Sequence, residues 1–342
     1  MSRFTDIETE ILNFLQKSFP LVERPFLDIG GKLGIPEQQV LKTVSDLKTR
    51  DVVRNIAGIF DGKKLGYHLS LVALSVPENI LDEAAAVINS HPGVSHNYLR
   101  DHRYNVWFTL AEETPEAFEK SVNVIARQAG AEDCLVLQNE KLYKIGFTLS
   151  IGEKNKEEFK EEKSGEEVKA SIPLSAFSEN SIIALQRDLP LESRPFDVLA
   201  EGAGISSGAE LIKQGEGLQA GGYMRRYAAV LRHRQAGYTS NAMTAWRVPD
   251  EGVPDEMVRP FGEEKAVTHL YLRTLYPGRW EHRLFAMIHA RSDKELNEIL
   301  VRLGNASGLN DRLVLRSLKE FKKQKVMYFS PEFTDWKDTY YD

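Results

Sequence analysis

One cysteine, Cys134, stands in 342 residues. A single thiol excludes an internal disulfide and any multi-cysteine metal site, and its setting in Asp133-Cys-Leu-Val-Leu137 predicts a buried, inert strand position. No run approaches the roughly 20 apolar residues that a bilayer-crossing helix needs, so no membrane partner is expected. The opening Met1-Ser-Arg-Phe-Thr-Asp-Ile7 lacks the apolar core of a signal peptide, which makes the cytoplasm the expected location. Neither a GxGxxG nor a Walker loop occurs, so no nucleotide-type cofactor is signalled. Positive charge is not in excess either. The formal net charge is −6, which argues against a nucleic acid as the main partner.

What the chain does have is a repeat. Phe19-Pro-Leu-Val-Glu-Arg-Pro-Phe26 returns as Leu189-Pro-Leu-Glu-Ser-Arg-Pro-Phe196, and the echo continues in order. Arg54-Asn-Ile-Ala-Gly-Ile-Phe60 answers to Arg225-Arg-Tyr-Ala-Ala-Val-Leu231, and Ser95-His-Asn-Tyr-Leu-Arg100 to Thr268-His-Leu-Tyr-Leu-Arg273. Two related protomers fused in one chain would leave this pattern. With 42% hydrophobic and 27% charged residues, halves of about 150 residues can each hold a core. Between them Gly152 to Lys169 is a charged stretch with one aromatic and no apolar periodicity, expected to be a linker over 152–175.

Each half opens with helical spacing. Ile7, Ile11, Phe14 and Leu15 predict a first helix, Phe26 to Leu33 a second, and Val40, Val44 and Leu47 a third; a strand over 52–60 then completes a winged helix-turn-helix. Leu69–Val76, Ile80–Asn89, Val94–Leu99, Asn105–Ala111, Pro115–Gln128 and Cys134–Gln138 follow as a ferredoxin-like βαββαβ unit. The expected fold class is α+β, with winged helices at 1–60 and 176–231 and ferredoxin-like units at 61–151 and 232–342. This combination resembles the Lrp/AsnC regulators, which would make the chain a DNA-binding, ligand-sensing protein. The recognition helices argue otherwise. Lys42, Lys48 and Arg50 are nearly offset by Glu37 and Asp46, and Gly208–Gly222 carries one lysine against two glutamates, with Gly215 and Gly217 each costing roughly 1 kcal/mol of helix propensity.

The basic charge lies just beyond those helices. Arg225, Arg226, Arg232, His233 and Arg234 crowd into ten residues, and period-two alternation sets Arg226, Arg232 and Arg234 on one side and Arg225 and His233 on the other. An anion is the natural ligand, although a solvated basic face or a phosphate-binding surface would read the same. In the first half Arg54 matches Arg225, while Asp61-Gly62-Lys63 stands where Arg232-His233-Arg234 would fall. The second constellation is His96, Tyr98 and Arg100 on one strand face at about 7 Å intervals, repeated as His269, Tyr271 and Arg273. It offers an acid, a hydrogen-bond donor and a carboxylate clamp in a row. His102 and His282 are weaker candidates beside the following turns.

These residues resemble one family in particular. Val94 to Thr109, Arg225 to Tyr238, Asn241-Ala-Met243, Trp246 and Leu284-Phe-Ala-Met-Ile-His289 are similar to siroheme decarboxylase, whose two related subunits share the Lrp/AsnC architecture. The resemblance implies removal of two acetate carboxylates of siroheme as carbon dioxide, giving 12,18-didecarboxysiroheme for heme d1 or an alternative heme pathway; the enzyme class would be a carboxy-lyase. It implies siroheme carboxylates held by Arg54, Arg100, Arg225, Arg226, Arg232, His233, Arg234, Arg273 and His102, because guanidinium forks suit carboxylates. The catalytic candidates are His96 and His269 with Tyr98 and Tyr271; either histidine could instead be an axial ligand to the siroheme iron. No cofactor beyond the substrate is expected, since the macrocycle itself is the electron sink. Heme binding, no DNA, and a homodimer of the fused chain are further expectations. A heme-responsive regulator and a tetrapyrrole carrier remain the alternatives.

Overall fold

The computed structural model describes residues 4–17, 19–145, 172–231, 240–249 and 252–341. Arg232, His233 and Arg234, and the linker up to residue 171, therefore lie outside the described residues. The first half starts with α1 (Asp6–Lys17), α2 (Pro25–Leu33) and α3 (Glu37–Thr49), then β1 (Val53–Phe60). The apolar positions spaced three and four apart, Ile11 and Leu15 in α1 and Val40, Val44 and Leu47 in α3, are all fully buried. They make one stripe per helix, as amphipathic packing requires. The second half repeats the plan with α6 (Glu179–Gln186), α7 (Pro195–Glu201), α8 (Gly208–Ala220) and β7 (Met224–Leu231).

The two winged helices interlock. β1 and β7 form an antiparallel ribbon with Ala57 opposite Ala228. The Phe19 N–H donates to the Tyr227 carbonyl at 3.2 Å, and the Leu189 N–H to the Ile56 carbonyl at 2.8 Å. Each copy of the repeated Pro-Leu segment thus enters the other copy's strand. Phe19, Phe26, Phe196 and Tyr227 meet in one shared core, with ring centroids 5.5–5.8 Å apart. The two glycines that weaken α8 serve this packing. A Cβ on Gly215 would lie 3.3 Å from Leu21 of the other copy, and one on Gly217 would lie 2.6 Å from the Phe177 ring.

The remaining strands build a sandwich. The first half supplies β2 (His68–Ser75), β3 (Val94–Arg100), β4 (Val106–Glu112), β5 (Asp133–Leu137) and β6 (Asn139–Ile145), with α4 (Leu81–Ser90) and α5 (Pro115–Gln128). The second supplies β8 (Ser240–Arg247), β9 (Val267–Arg273), β10 (His282–Ala290) and β11 (Arg312–Lys323), with α9 (Asp255–Glu263) and α10 (Asp293–Ser307). The strand order is β5-β2-β4-β3-β11-β8-β10-β9-β6. Each half therefore keeps the ferredoxin-like order, and each closing strand then crosses to the other half: β11 pairs with β8 and continues along β3, while β6 leaves β5 to pair with β9. Leu71, Trp107, Leu135, Leu137, Ala245, Trp280, Phe285 and Leu315 fill the space between the sheets. The sheet pairing on which a homodimer was expected is thus made inside one chain.

Past β11 the chain runs back over the winged helices and then onto the first half, which the sequence pattern does not announce. Gln186 brackets Tyr328, accepting its N–H at 2.9 Å and donating to its carbonyl at 3.0 Å, and the Tyr67 hydroxyl accepts the Phe329 N–H at 2.7 Å. The last helix, α11 (Glu332–Tyr340), lays Trp336 against the buried His91 ring, 4.1 Å between centroids.

Candidate active site

The two His-Tyr-Arg faces exist as drawn from the sequence. On β3 the His96 and Tyr98 rings stack at 6.2 Å, and on β9 His269 and Tyr271 do the same at 6.2 Å. Tyr98 lies opposite Trp107 on the neighbouring strand and Tyr271 packs on the inter-sheet core, so both faces point into the sandwich. Both strands start at the end nearest the winged helices. His96 pairs with Lys323 at the end of β11, and the Arg54 guanidinium of the ribbon donates to the Lys323 carbonyl. Four pieces of chain meet at this mouth.

Its electrostatics follow from that crowding. Burial, and then the charge of Lys323 and more weakly that of Arg54, against the opposing Glu320 carboxylate, lower the His96 imidazole to about 4, and a charge on His269 disfavours its proton further. His269, 173 positions away in sequence, thus lies within electrostatic reach of His96. Burial raises the Tyr271 phenol, while the charges of Arg273 and, more weakly, Arg225 oppose that rise, so Arg225 lies within electrostatic reach of the second ladder. Arg225 also reaches across the ribbon to Asp61 at 2.9 Å. Arg226 is exposed on the same strand.

Hydroxyls hold both imidazoles, a feature that sequence reasoning missed. Ser95 Oγ lies 2.9 Å from His96 Nδ1, and Thr268 Oγ1 lies 2.9 Å from His269 Nδ1. Ser95 Oγ also meets Thr109 Oγ1 at 2.6 Å. The signal was available, since a hydroxyl residue precedes the histidine in both copies. His289 was quoted for the resemblance without a task; it stands at the same end of β10, its Nδ1 2.9 Å from Asn241 Oδ1.

Four candidates have other surroundings. Arg100 and Arg273, expected as carboxylate clamps, have protein acceptors beside them. Arg100 donates to the Leu315 carbonyl at 3.0 Å and to Ser317 Oγ at 2.5 Å, and Arg273 to the Leu137 carbonyl at 2.8 Å. These acceptors sit where the closing strands change sheets, so the two guanidiniums hold the crossovers. Stacked over Tyr98 and Tyr271 at 4.9 and 4.8 Å, both are buried enough to be lowered to about 10. His102 lies at the opposite end of β3, its Nδ1 accepting the Tyr104 N–H at 3.0 Å and its ring 5.3 Å from Trp280. His282, 6.1 Å from the same indole and 2.9 Å from Asp311, marks that far end too. Burial pushes the Cys134 thiol up to about 11, consistent with an inert cysteine.

Comparison with known proteins agrees with this architecture. Residues 8–54 and 181–225 match the siroheme decarboxylase NirDL-like HTH domain, and residues 64–144 and 235–322 the AsnC-like ligand binding domain. A siroheme decarboxylase of Hydrogenobacter thermophilus is 37% identical over 96% of this chain and 96% of its own. A siroheme decarboxylase alpha subunit of Desulfovibrio desulfuricans is 39% identical over 41% of this chain and 80% of its own length, as a half-length relative of a fused chain would be. The crystal structure of the siroheme decarboxylase NirDL in co-complex with an iron-uroporphyrin III analogue superposes with a TM-score of 0.74 at 32% identity, covering 97% of both chains. With both domain types duplicated in the same order and most of its length aligned to such relatives, this chain belongs to the siroheme decarboxylase family.

Proposed function

We propose that this chain is a carboxy-lyase that removes two acetate carboxylates of siroheme as carbon dioxide, giving 12,18-didecarboxysiroheme for heme d1 or an alternative heme pathway. The observation that carries this reading is the mouth itself. Two imidazole–phenol ladders from the two halves converge beneath a ribbon bearing Arg54 and Arg225. A substrate rimmed with carboxylates needs cations at its edge and a proton donor at its reacting carbon.

In each turn the bond between the acetate methylene and its carboxylate breaks, the electron pair passes into the macrocycle, and one proton adds to the methylene carbon to leave a methyl group. His96 is the donor in this reading and Tyr98 its neighbour; His269 and Tyr271 face the iron or the opposite rim. With its imidazole held at about 4, His96 is neutral at pH 7. Substrate carboxylates against Lys323 and Arg54 offset the part of the shift that those cations add to burial, so binding and protonation are coupled. Closing the ladders in the sandwich also keeps water from the scissile carboxylate. No cofactor beyond siroheme enters this scheme.

The helix-turn-helix modules act as scaffold in this reading. Lys48 of α3 is paired with Asp188 of the other copy at 2.8 Å and Arg50 with Glu8, which leaves little positive charge for phosphates. Anaerobic incubation with siroheme followed by mass spectrometry of the extracted tetrapyrrole tests the proposal. Loss of two carbon dioxide units is expected; unchanged siroheme co-eluting with the protein would make it a carrier instead.

A further inference from the structure

The two halves of the mouth are related by the repeat but not equal in charge. Arg54 and Arg225 occupy the same position of the repeated strand. Arg54 has no carboxylate within ion-pair distance among the described residues; its recorded hydrogen bond goes to the neutral Lys323 carbonyl. Arg225 is held by Asp61 at 2.9 Å. Asp61 is itself built in. Its N–H donates to the Tyr223 carbonyl at 2.8 Å, and its Oδ1 accepts the Lys63 and Lys64 N–H groups at 3.1 and 3.3 Å, leaving Oδ2 for the guanidinium. Gly62 then packs so closely that a Cβ there would lie 2.4 Å from the Tyr328 hydroxyl. In the register of the repeat the second copy carries Arg232, a cation, where the first carries Asp61.

The hydroxyls behind the histidines differ in the same sense. Thr268 Oγ1 lies 2.9 Å from His269 Nδ1 and has beside it only the distant Met287 carbonyl, at 3.5 Å, so its hydroxyl has no second hydroxyl partner. Ser95 meets the Thr109 hydroxyl, which can donate or accept, so Ser95 can turn its hydrogen toward or away from His96 as the proton load changes. The residues opposite the histidines in the two copies, Thr109 and Met287, make this difference.

We infer that the Arg54–His96 half receives the reacting carboxylate and that Asp61 imposes this choice by neutralising Arg225. The inference rests on the decarboxylase reading and adds a selectivity residue to it. Asp61 is a positioning residue, acting through Arg225.

Anaerobic titration with siroheme, followed by mass spectrometry, tests it on the full chain in the variants R54A, R225A, D61N and D61N/R54A. D61N keeps the Oδ1 acceptor of the turn and removes the charge. R54A should weaken binding about tenfold or more, the scale of one charge-assisted hydrogen bond, and R225A about threefold or less. D61N/R54A should bind at least threefold more tightly than R54A, because the released Arg225 takes over the carboxylate. Equal losses in R54A and R225A, or a double variant no better than R54A, overturn the inference. R54K, which keeps the cation, should regain binding if R54A is merely misfolded; failure of R54K together with loss of the native circular dichroism would instead make Arg54 a fold residue and overturn the assignment. Wild-type protein that neither binds nor changes siroheme defeats the decarboxylase reading itself, a result distinct from all of these.

Discussion

Filling the site should draw a proton onto His96. Burial first, then the charge of Lys323 and more weakly that of Arg54, against the opposing Glu320 carboxylate, hold this imidazole at about 4. At pH 6.5 such a group is only roughly 0.3% protonated, whereas an imidazole at its ordinary value of about 6.5 is half protonated. A tetrapyrrole rimmed with carboxylates brings anions to those cations. Burial, the largest cause, stays in place when the site fills, so the carboxylates return only the charge-dependent part of the shift, and binding takes up a fraction of a proton per chain, less than the roughly 0.5 that full restoration would give at pH 6.5. The sign is fixed: the bound state carries more protons, so affinity rises as pH falls from about 7.5 toward the ordinary carboxylate range. Calorimetric titration with an iron-uroporphyrin III analogue, in phosphate and in Bis-Tris, reads the uptake from the difference in heat. His96→Gln should abolish it. Equal heats in both buffers, or uptake that survives His96→Gln, would refute the coupling and with it the reason given for a neutral histidine beside two cations.

Three further outcomes test the framework that positions the site. Gly93→Ala places a Cβ 2.0 Å from the Ala111 carbonyl, a backbone clash expected to cost about 3 kcal/mol or more, visible as a lowered Tm or loss of soluble protein. Glu112 is fully buried, and although burial opposes its charge, hydrogen bonds from His91, Ser121 and Lys337 prevail and hold its carboxyl at about 2. That stabilisation is complete above the unfolded value near 4.5 and is lost as pH falls toward 2; Glu112→Gln should remove about 2 kcal/mol at neutral pH, seen as faster hydrogen exchange in α11, whose Lys337 pairs with this carboxylate at 3.0 Å. Arg100→Leu leaves the Leu315 carbonyl without its donor at the strand crossover and should cost about 2–4 kcal/mol in thermal unfolding.

Local pattern was enough for much of this protein. The spacing of Val40, Val44 and Leu47 marks α3, the run from Pro115 to Gln128 matches α5 residue for residue, and alternation on Val94–Arg100 puts His96, Tyr98 and Arg100 on one face, because helix and strand periods are properties of the backbone alone. The internal repeat announced two related halves, and the paired His-x-Tyr-x-Arg motifs pointed to the ladders. Partners distant in sequence were not legible. Nothing in the composition of residues 139–145 or 312–323 says that a strand leaves its own sheet for another, since crossing depends on the twist and spacing of two packed sheets. For the same reason the crossover carbonyls beside Arg100 and Arg273 were not legible, and Gly215 and Gly217 read as helix defects until Leu21 and Phe177 were seen against them. Sequence determined the elements and the chemistry each half offers. Only tertiary packing decided that His96 and His269 come within electrostatic reach of each other, that burial and nearby cations keep His96 neutral, and that Asp61 pairs with the exposed Arg225, because those facts depend on distances between segments that the chain brings together only when both halves close on each other.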